Sequence, residues 1–352
     1  MGGRSRVALF SRGIGIDLGT ANLVVYVEGK GILLQEPSVV AVRVEDGELV
    51  AVGEEAYQMM GRTPGVYETV HPLQDGVIAH FDLTQKLLVH AMQRALGRIP
   101  LVRPDVVVCI PAGITSVERR AVVDAVLAAG ARHCELISEP MAAALGAGLE
   151  VTHPRGRMVI DAGGGTTDIA VLSMGQEVVA TSIRVGSTDF DSAIARHLER
   201  THQLVVGPRT AEQLKIQVGA ARPTSEVRAL EVSGFHRPSG LPKRLQVTSD
   251  ELFPALDEPI QAILDGIRWV LERTPPEMAA DIYEDGILLT GGGALLRDFP
   301  ERVADELGVP TRLAEDPLTC VARGTWAALE MVRRRGKELP SLFVGEAATT
   351  RE

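Results

Sequence analysis

The sequence predicts an α/β fold built from two duplicated domains, in which mixed sheets flanked by helices face each other across a central cleft. Three observations predict it. The stretch "RMVIDAGGGTTDIAVLS" places an acid, three glycines and two threonines between two apolar strands. The stretch "GIGIDLGTANLVVYV" repeats this design near the N-terminus, and a third glycine cluster follows the apolar strand of "GILLTGGGALL". Two glycine turns that each begin with an acid indicate two similar halves.

The glycine turns need a physical reason, because consecutive glycines cost conformational entropy and pack nothing. One reason is a tight hairpin turn. The other is the close approach of an anion to backbone N–H groups. An acid beside an anion repels it unless a divalent cation lies between them, and Mg²⁺ prefers oxygen ligands and keeps its waters. Asp17 and Asp161, one from each half, would therefore hold a metal–nucleotide complex in the cleft.

Two other phosphate-binding motifs fit poorly. No G-x-x-x-x-G-K-[ST] sequence occurs, which argues against a P-loop. The glycines of "GIGIDLG" are too widely spaced for G-x-G-x-x-G, and a strand rather than a long helix follows them. A dinucleotide-binding Rossmann site is therefore a poor interpretation.

The first half alternates predicted strands and helices after its hairpin. Short strands are predicted in "GILLQEPSVVAV" and "ELVAVG", and helices in "EEAYQMMGR" and "LTQKLLVHAMQRALG". The near-continuous apolar run of "RPDVVVCIPAG" is typical of a central buried strand. "SVERRAVVDAVLAAGA" predicts a helix with Ser116 as its N-cap that ends at Gly130. The strand "HCELISEP" then leads into a helix with Pro140 at its first position.

The second half repeats the alternation. Helices are predicted in "DFDSAIARHLERTHQ" and "TAEQLKIQVGAA", and a β-meander over residues 226–248. "SDELFPALDEPIQAILDGIRWVLERTPPEMAADI" indicates helices broken by prolines. "TCVARGTWAALEMVRRRGKEL" predicts a C-terminal helix, and a frayed tail is expected from "VGEAATTRE" onward.

Composition limits the function classes. The 352 residues suffice for two domains, and 45% hydrophobic with 23% charged residues is the balance of a soluble globular protein. The net charge of −10 argues against nucleic acid as a partner. Three isolated cysteines argue against a disulfide framework or a zinc site and fit a reducing cytoplasm. No apolar run approaches the roughly 20 residues that span a bilayer.

These motifs together resemble the MreB family of bacterial actins, which belongs to the superfamily of actin, DnaK-type chaperones and sugar kinases. The resemblance covers residues 13–332 in collinear order. It rests on "GIDLGTANLVVYVEGKGILLQEPSVVAV", "DGVIAHF", "IPAGITSVERRAV", "EPMAAALGAGL", "IRVGSTDFDSAI", "GPRTAEQLKIQVG", "SGLPKRL", "LERTPPEMAADI", "LTGGGALLRDF" and "AEDPLTCVARGT".

The resemblance implies an actin-like ATPase fold around a nucleotide cleft and divides the chain accordingly. Domain I would comprise residues 1–152 and 324–352, with a small subdomain at about 33–75. Domain II would comprise residues 153–323, with a small subdomain at about 186–248.

The resemblance also implies site residues, with ATP and Mg²⁺ as cofactors. Asp17 and Asp161 would hold Mg²⁺ through its waters, and Glu139 would position the attacking water; these three are the predicted catalytic residues. The alternative for Glu139 is that it is an ordinary acid at a helix start. The alternative for Glu212 and Lys215 is that they form a solvated pair on a helix surface. The predicted nucleotide contacts are Gly19, Thr20, Ala21, Asn22, Gly163, Gly164, Gly165, Thr166, Glu212, Lys215, Gly291, Gly292, Gly293 and Ala294.

The chain departs from the family pattern at three places. Ser138 stands where the family usually has a second acid before the proline, and Asp168 ends the second loop where Glu is common. Leu23-Val24 replaces the more usual Thr-Leu after the first loop. Because Glu139 is retained, hydrolysis is expected to survive.

The implied function is that of a cytoskeletal ATPase whose filaments organise cell wall synthesis and maintain rod shape. Its partners would be copies of itself, the inner face of the cytoplasmic membrane, and RodZ, MreC and MreD. Candidate membrane contacts are Leu9 and Phe10 near the N-terminus and Leu101 and Val102, each pair flanked by arginines. An ordinary tail and an ordinary loop are the alternatives. A DnaK-like chaperone ATPase or a small-molecule kinase remains the rival function.

Overall fold

The computed structural model describes residues 13–62, 65–97, 103–223, 226–335, 342–344 and 348–349. The predicted membrane contacts Leu9, Phe10, Leu101 and Val102 lie outside these ranges.

Strands and helices alternate along the described chain as predicted. The strands are, in chain order, β1 Gly13–Leu18, β2 Asn22–Val27, β3 Gly31–Pro37, β4 Val40–Arg43, β5 Leu49–Val52, β6 Tyr67–Val70, β7 Leu73–Gln74, β8 Val77–Ile78, β9 Asp105–Ile110, β10 His133–Ser138, β11 Arg157–Ala162, β12 Thr167–Ser173, β13 Gln176–Ile183, β14 Leu204–Val205, β15 Ala229–His236, β16 Leu241–Thr248, β17 Ile287–Thr290, β18 Thr311–Leu313 and β19 Ala348–Thr349. The helices are α1 Glu54–Met59, α2 Phe81–Leu96, α3 Ser116–Ala128, α4 Glu139–Gly146, α5 Ser187–His202, α6 Pro208–Gln217, α7 Ser249–Arg273, α8 Pro276–Asp285, α9 Phe299–Leu307 and α10 Cys320–Arg335. A 3₁₀ turn spans Gly293–Leu295.

The two large sheets share one topology. The first has the strand order β3-β2-β1-β9-β10-β19 and the second has the order β13-β12-β11-β17-β18. In each sheet a hairpin opens the unit, with β1 antiparallel to β2 and β11 antiparallel to β12. The fourth strand of each unit then runs parallel to the first, as β9 does beside β1 and β17 beside β11. The predicted duplication and mixed sheets are therefore confirmed.

Each half also carries a small three-stranded sheet. The first small sheet has the order β5-β4-β6 and lies within the predicted subdomain at 33–75. The second small sheet has the order β14-β15-β16 and lies within the predicted subdomain at 186–248. The domain boundaries themselves stay a prediction.

An apolar cluster joins the two halves. It combines Val107 of β9, Met141 of α4, Val159 of β11 and Val321 of α10, all at least nine-tenths buried. Because strands from both large sheets contribute to it, α4 and α10 are packed between the halves.

The backbones of α4 and α10 touch where the helices cross. A Cβ added to Gly146 would lie 1.8 Å from the carbonyl oxygen of Cys320, and one added to Gly324 would lie 1.6 Å from that of Ala142. Such distances leave no room for any side chain, so glycine is required at both positions.

Three predicted boundaries were wrong. The N-cap of α3 is Thr115 rather than Ser116, and the helix ends at Ala128. The Thr115 hydroxyl accepts from the Glu118 N–H at 3.2 Å, and the Glu118 carboxylate accepts from the Thr115 N–H at 2.9 Å. This capping box fixes the start, because it satisfies two N–H groups at once. Likewise α4 begins at Glu139, one residue before Pro140.

The stretch predicted to form helices broken by prolines does break at Pro275, between α7 and α8, but α7 runs unbroken through Pro254 and Pro259. Pro259 is itself buried, on the same apolar face as Leu256 and Ile260. Burial of this long apolar face outweighs the two lost N–H donors.

Two described parts of the C-terminal segment, where a frayed tail was predicted, are hydrogen-bonded to β10. The Val344 N–H donates to the carbonyl oxygen of Leu136 at 2.8 Å. Strand β19 then pairs antiparallel with β10, with Ala348 opposite Cys134.

Candidate nucleotide-binding cleft

The first glycine loop joins β1 to β2 and is held from outside. The Gly19 N–H donates to the Asn22 carbonyl at 3.1 Å, which closes the turn. The Ser38 hydroxyl donates to the Gly19 carbonyl at 2.7 Å. The Thr20 hydroxyl accepts from the Gly76 N–H at 2.9 Å. Sequence reasoning missed Ser38 and Gly76, because both come from segments distant from the motif.

The second glycine loop joins β11 to β12 and is held by the start of α5. Its turn is closed by the Gly163 N–H, which donates to the Thr166 carbonyl at 2.8 Å. The Ser187 N–H donates to the Gly163 carbonyl at 3.0 Å, and the Thr188 N–H donates to the Gly164 carbonyl at 2.9 Å. Because the carbonyl groups of Gly163 and Gly164 accept these hydrogen bonds, the loop is fixed in place.

The two loops face each other at contact distance. A Cβ added to Gly164 would lie 2.5 Å from the Cβ of Ala21, and one added to Gly165 would lie 3.0 Å from the Cγ2 of Thr20. The glycines are therefore needed for a reason that the sequence did not indicate, since the loop of one half packs directly on that of the other.

Four acids gather behind the loops. Glu139, Asp161 and Asp168 are buried, with 8%, 5% and 0% exposure, and Asp17 is half-buried. Burial and then the charge of Asp168 raise the pKa of Glu139, and burial and then the charge of Asp17 raise that of Asp161. Burial also raises the pKa of Asp17 and that of Asp168 to about 6. Such a cluster favours a cation.

Two of these acids leave carboxylate oxygens available to a ligand, although no group of three or more His, Cys, Asp or Glu side chains within the described residues is arranged to hold a metal ion by itself. Among the residues that the structure describes, the buried Oδ1 of Asp161 has no hydrogen-bond partner. The Oδ1 of Asp17 accepts only weakly, from the Cys109 thiol at 3.3 Å. Buried carboxylate oxygens with little protein donation suit Mg²⁺ and its bound waters.

Asp168 links the two halves and was singled out in the sequence only as a departure from the family. Its Oδ1 accepts from the N–H of Ala112 at 2.6 Å, across from β12 to the loop after β9. It also lies beside Glu139, at the start of α4. A buried acid therefore ties the second loop to the element that carries the predicted water-positioning residue.

The third glycine cluster completes the cavity wall. Gly291 has φ of +85°, and an added Cβ would lie 2.3 Å from the carbonyl oxygen of Ala162. Gly293 and Ala294 are buried in the 3₁₀ turn. Leu318, which sequence reasoning missed, lines the same wall and is 40% exposed.

Most of the predicted site residues thus line one cavity of about 70 Å³ between the halves. Its wall includes Asp17, Gly19, Thr20, Asn22, Glu139, Asp161, Gly163, Gly164, Gly165, Thr166, Gly291 and Gly292.

Glu212 and Lys215 are placed beside this cavity. Glu212 lines a neighbouring cavity of about 570 Å³, which shares Thr20, Ala21 and Asn22 with the first loop. Lys215 lies 3.0 Å from the carboxylate of Asp191 and donates to the Ser187 carbonyl at 3.1 Å. The lysine thus pairs with Asp191 and braces the start of α5.

The family model of the MreB/Mbl protein matches residues 11–337. The chain belongs to the MreB/Mbl family. It is 47% identical over 337 residues to the cell shape-determining protein MreB of Escherichia coli (strain K12), covering 94% of this chain and 97% of that protein. It is 46% identical over 322 residues to the cell shape-determining protein Mbl of Bacillus subtilis (strain 168), covering 92% and 97%.

Solved structures agree with this assignment. MreB5 of Spiroplasma citri bound to AMPPNP superimposes with a TM-score of 0.89 at 36% identity, covering 93% of this chain and 98% of that one. The MamK double helical filament shares the fold, with a TM-score of 0.76 at 21% identity. The predicted actin-like fold and MreB-type role are confirmed, and the chaperone and small-molecule kinase alternatives are not supported.

No helix among the described residues combines the length and the apolar character needed to cross a membrane.

Proposed function

We propose that this MreB/Mbl-family chain binds Mg·ATP between its halves, hydrolyses it slowly and polymerises into filaments. The observation that carries the proposal is the contact of Gly164 with Ala21, which brings a glycine loop and an acid from each half to one cavity. A nucleotide there touches both halves at once. The AMPPNP-bound and ADP-bound structures of the Spiroplasma citri relative support the nucleotide.

The loops divide the work of binding. Backbone N–H groups of Thr20, Ala21 and Asn22 and of Gly164–Thr166 would cradle the phosphates. Asp17 and Asp161 would hold Mg²⁺ through its waters. Mg²⁺ held there would offset the negative charge of the phosphates and of the neighbouring acids. The third glycine cluster, Gly291–Ala294, would admit the adenosine.

Glu139 is the residue proposed to position the attacking water. It is the first residue of α4, and its carboxyl group lines the cavity that the phosphate loops share. Positioning and electrostatics carry phosphoryl hydrolysis. Glu139→Gln should therefore retain ATP binding and lose phosphate release by about 10²-fold or more. Equal phosphate release by the variant and wild type would leave Glu139 as a helix-start acid.

Filament assembly follows from a ligand that bridges the halves. A nucleotide that contacts both loops favours the closed arrangement of the halves, because binding shifts the population toward the state that it contacts most. The MamK filament, which has the same fold, supports self-assembly.

The cellular role is proposed from the relatives, which are named cell shape-determining proteins. The filaments would lie in the cytoplasm on the inner face of the membrane, organise cell wall synthesis and maintain rod shape. RodZ, MreC and MreD are the proposed partners. Leu101 and Val102, or Leu9 and Phe10, would contact lipid beside their neighbouring arginines.

Sedimentation tests the proposal. Wild type should pellet with anionic liposomes in Mg·ATP and stay in the supernatant without it, whereas Asp161→Ala should stay in the supernatant in both. Wild type that binds ATP and remains monomeric under all conditions would contradict the filament.

A second sedimentation experiment tests the lipid contact. Leu101→Ser combined with Val102→Ser should weaken co-sedimentation with liposomes and leave ATP binding unchanged. Unchanged co-sedimentation would remove this segment from the proposal.

A further inference from the structure

One side-chain contact spans the mouth of the cleft. The hydroxyl of Tyr57, on α1, donates a hydrogen bond to the carboxylate of Glu212, on α6. Helix α1 packs on the first small sheet, and α6 packs beside the second. Both side chains line the cavity of about 570 Å³ that adjoins the first phosphate loop. The contact therefore links the two small sheets at the edge of the nucleotide site.

A third residue fixes this contact. The guanidinium carbon of Arg209 lies 5.1 Å from the centre of the Tyr57 ring, within cation–π range. Arg209 and Glu212 are three residues apart on α6, so they share one face of the helix. One side of α6 thus holds both the ring and the hydroxyl of Tyr57.

The hydroxyl is suited to its role as donor. Burial, together with the hydrogen bond to Glu212, raises the pKa of Tyr57, so the phenol stays protonated at neutral pH. A carboxylate has two oxygens and about four acceptor sites. Glu212 can therefore accept from Tyr57 and from a sugar hydroxyl at the same time.

We propose that Tyr57 is a positioning residue of the nucleotide site, which orients Glu212 toward the bound ribose and retains the nucleotide by joining the two small sheets. The inference rests on the proposed function, because it assumes that Glu212 contacts the nucleotide. A nucleotide then leaves only after the Tyr57–Glu212 hydrogen bond has opened. No sequence motif indicated Tyr57, since its partner is distant in the chain and meets it only through the fold.

The test measures nucleotide release. Protein is loaded with Mg²⁺ and tritium-labelled ATP, whose ribose is unmodified, and release is followed by rapid filtration after a chase of unlabelled ATP. Tyr57→Phe should release the label about tenfold faster, because a hydrogen bond to a charged acceptor is worth about that factor. Arg209→Gln, which frees the ring but keeps the hydrogen-bonding pair, should accelerate release about threefold.

Two controls separate positioning from a general loss of structure. Tyr67→Phe alters a tyrosine on β6 of the same small sheet and should leave release unchanged. In a Glu212→Ala background, Tyr57→Phe should have no further effect, since the two groups act through each other.

Three results would overturn the inference. These are an unchanged release rate in both Tyr57→Phe and Arg209→Gln, an equal acceleration with Glu212 present or absent, and an equal acceleration in Tyr67→Phe. Failure of wild type to bind labelled ATP at all would instead overturn the proposed function, and the inference with it.

Discussion

At the scale of single residues, buried acids of the cleft lower the stability of the ligand-free protein, and they are placed where a ligand would bind. Asp161 is 5% exposed, and its Oδ1 has no hydrogen-bond partner within the described residues. Its charged form is disfavoured first by burial and then by the charge of Asp17. A buried, weakly partnered carboxylate destabilises a fold unless a cation compensates it.

Neutralising Asp161 should therefore stabilise the protein without ligand. Asp161→Asn is expected to raise the free energy of unfolding by about 1–3 kcal/mol, and to abolish the further stabilisation that Mg·ATP is expected to give wild type. Urea unfolding with and without Mg·ATP measures both effects. A variant that is less stable than wild type without ligand would show that the carboxylate has a structural partner.

The contact between loops gives a second prediction at this scale. Gly164→Ala would place a methyl group 2.5 Å from the Cβ of Ala21, so the loops must separate. We expect ATP affinity to fall by about tenfold or more, since N–H groups of both loops then no longer converge on one ligand. Equilibrium binding of labelled ATP measures the loss. A Gly207→Ala control alters a glycine with open space around it and an ordinary φ of −78°, and should leave affinity unchanged.

At the scale of elements, the crossing of α4 and α10 holds the halves together. Helix α4 also begins with Glu139, so the helix that packs between the halves carries a residue of the cleft. Changes in this packing are therefore expected to reach the site.

Gly324→Ala tests the crossing. The new Cβ would lie 1.6 Å from the carbonyl oxygen of Ala142, so the helices must move apart. Overpacking of this kind should lower the free energy of unfolding by about 1–3 kcal/mol. Thermal or urea unfolding measures it. The control is Gly207→Ala, at a glycine with nothing nearby and an ordinary φ of −78°. It should change the free energy of unfolding by only a few tenths of a kcal/mol. Equal effects of the two variants would contradict the packing argument.

At the scale of the whole molecule, the two halves meet through buried acids whose protonation is linked to folding. The pKa values of Asp17 and Asp168 rise from 3.8 to about 6, mainly because the protein shields both carboxylates from water. At pH values between 3.8 and about 6, the folded state binds more protons than the unfolded state. Their contribution to the free energy of unfolding therefore falls as pH rises from about 4 to 6.

Asp168→Asn should flatten this part of the pH profile of stability and keep the acceptor for the Ala112 N–H. Urea unfolding of the nucleotide-free protein at a series of pH values measures the slope. Asp124→Asn, at an exposed acid on α3, serves as control and should retain the wild-type slope. An Asp168→Asn profile parallel to that of wild type would contradict the linkage.

Much of this molecule was predictable from local pattern. Asp17 and Asp161 each follow an apolar strand and precede glycines, and this pattern predicted the duplicated sheets and the cleft between them. Local pattern failed where tertiary packing opposed it. Pro254 and Pro259 predicted breaks in α7, yet burial of its apolar face keeps the helix continuous. The one-residue error at Thr115 arose because Thr and Ser are both good N-caps, and only the reciprocal bond with Glu118 decides between them.

The sequence by itself determined the family, the duplicated α/β fold and the glycine loops with their acids, because these depend on short stretches whose order and spacing are visible in the chain. The tertiary structure alone decided which distant groups meet. It placed Ala21 against Gly164, the Ala112 N–H on Asp168, and Tyr57 on Glu212. Such pairs form when two halves close on each other, and their geometry is set by the packing of whole sheets and helices rather than by either residue's neighbours in the chain.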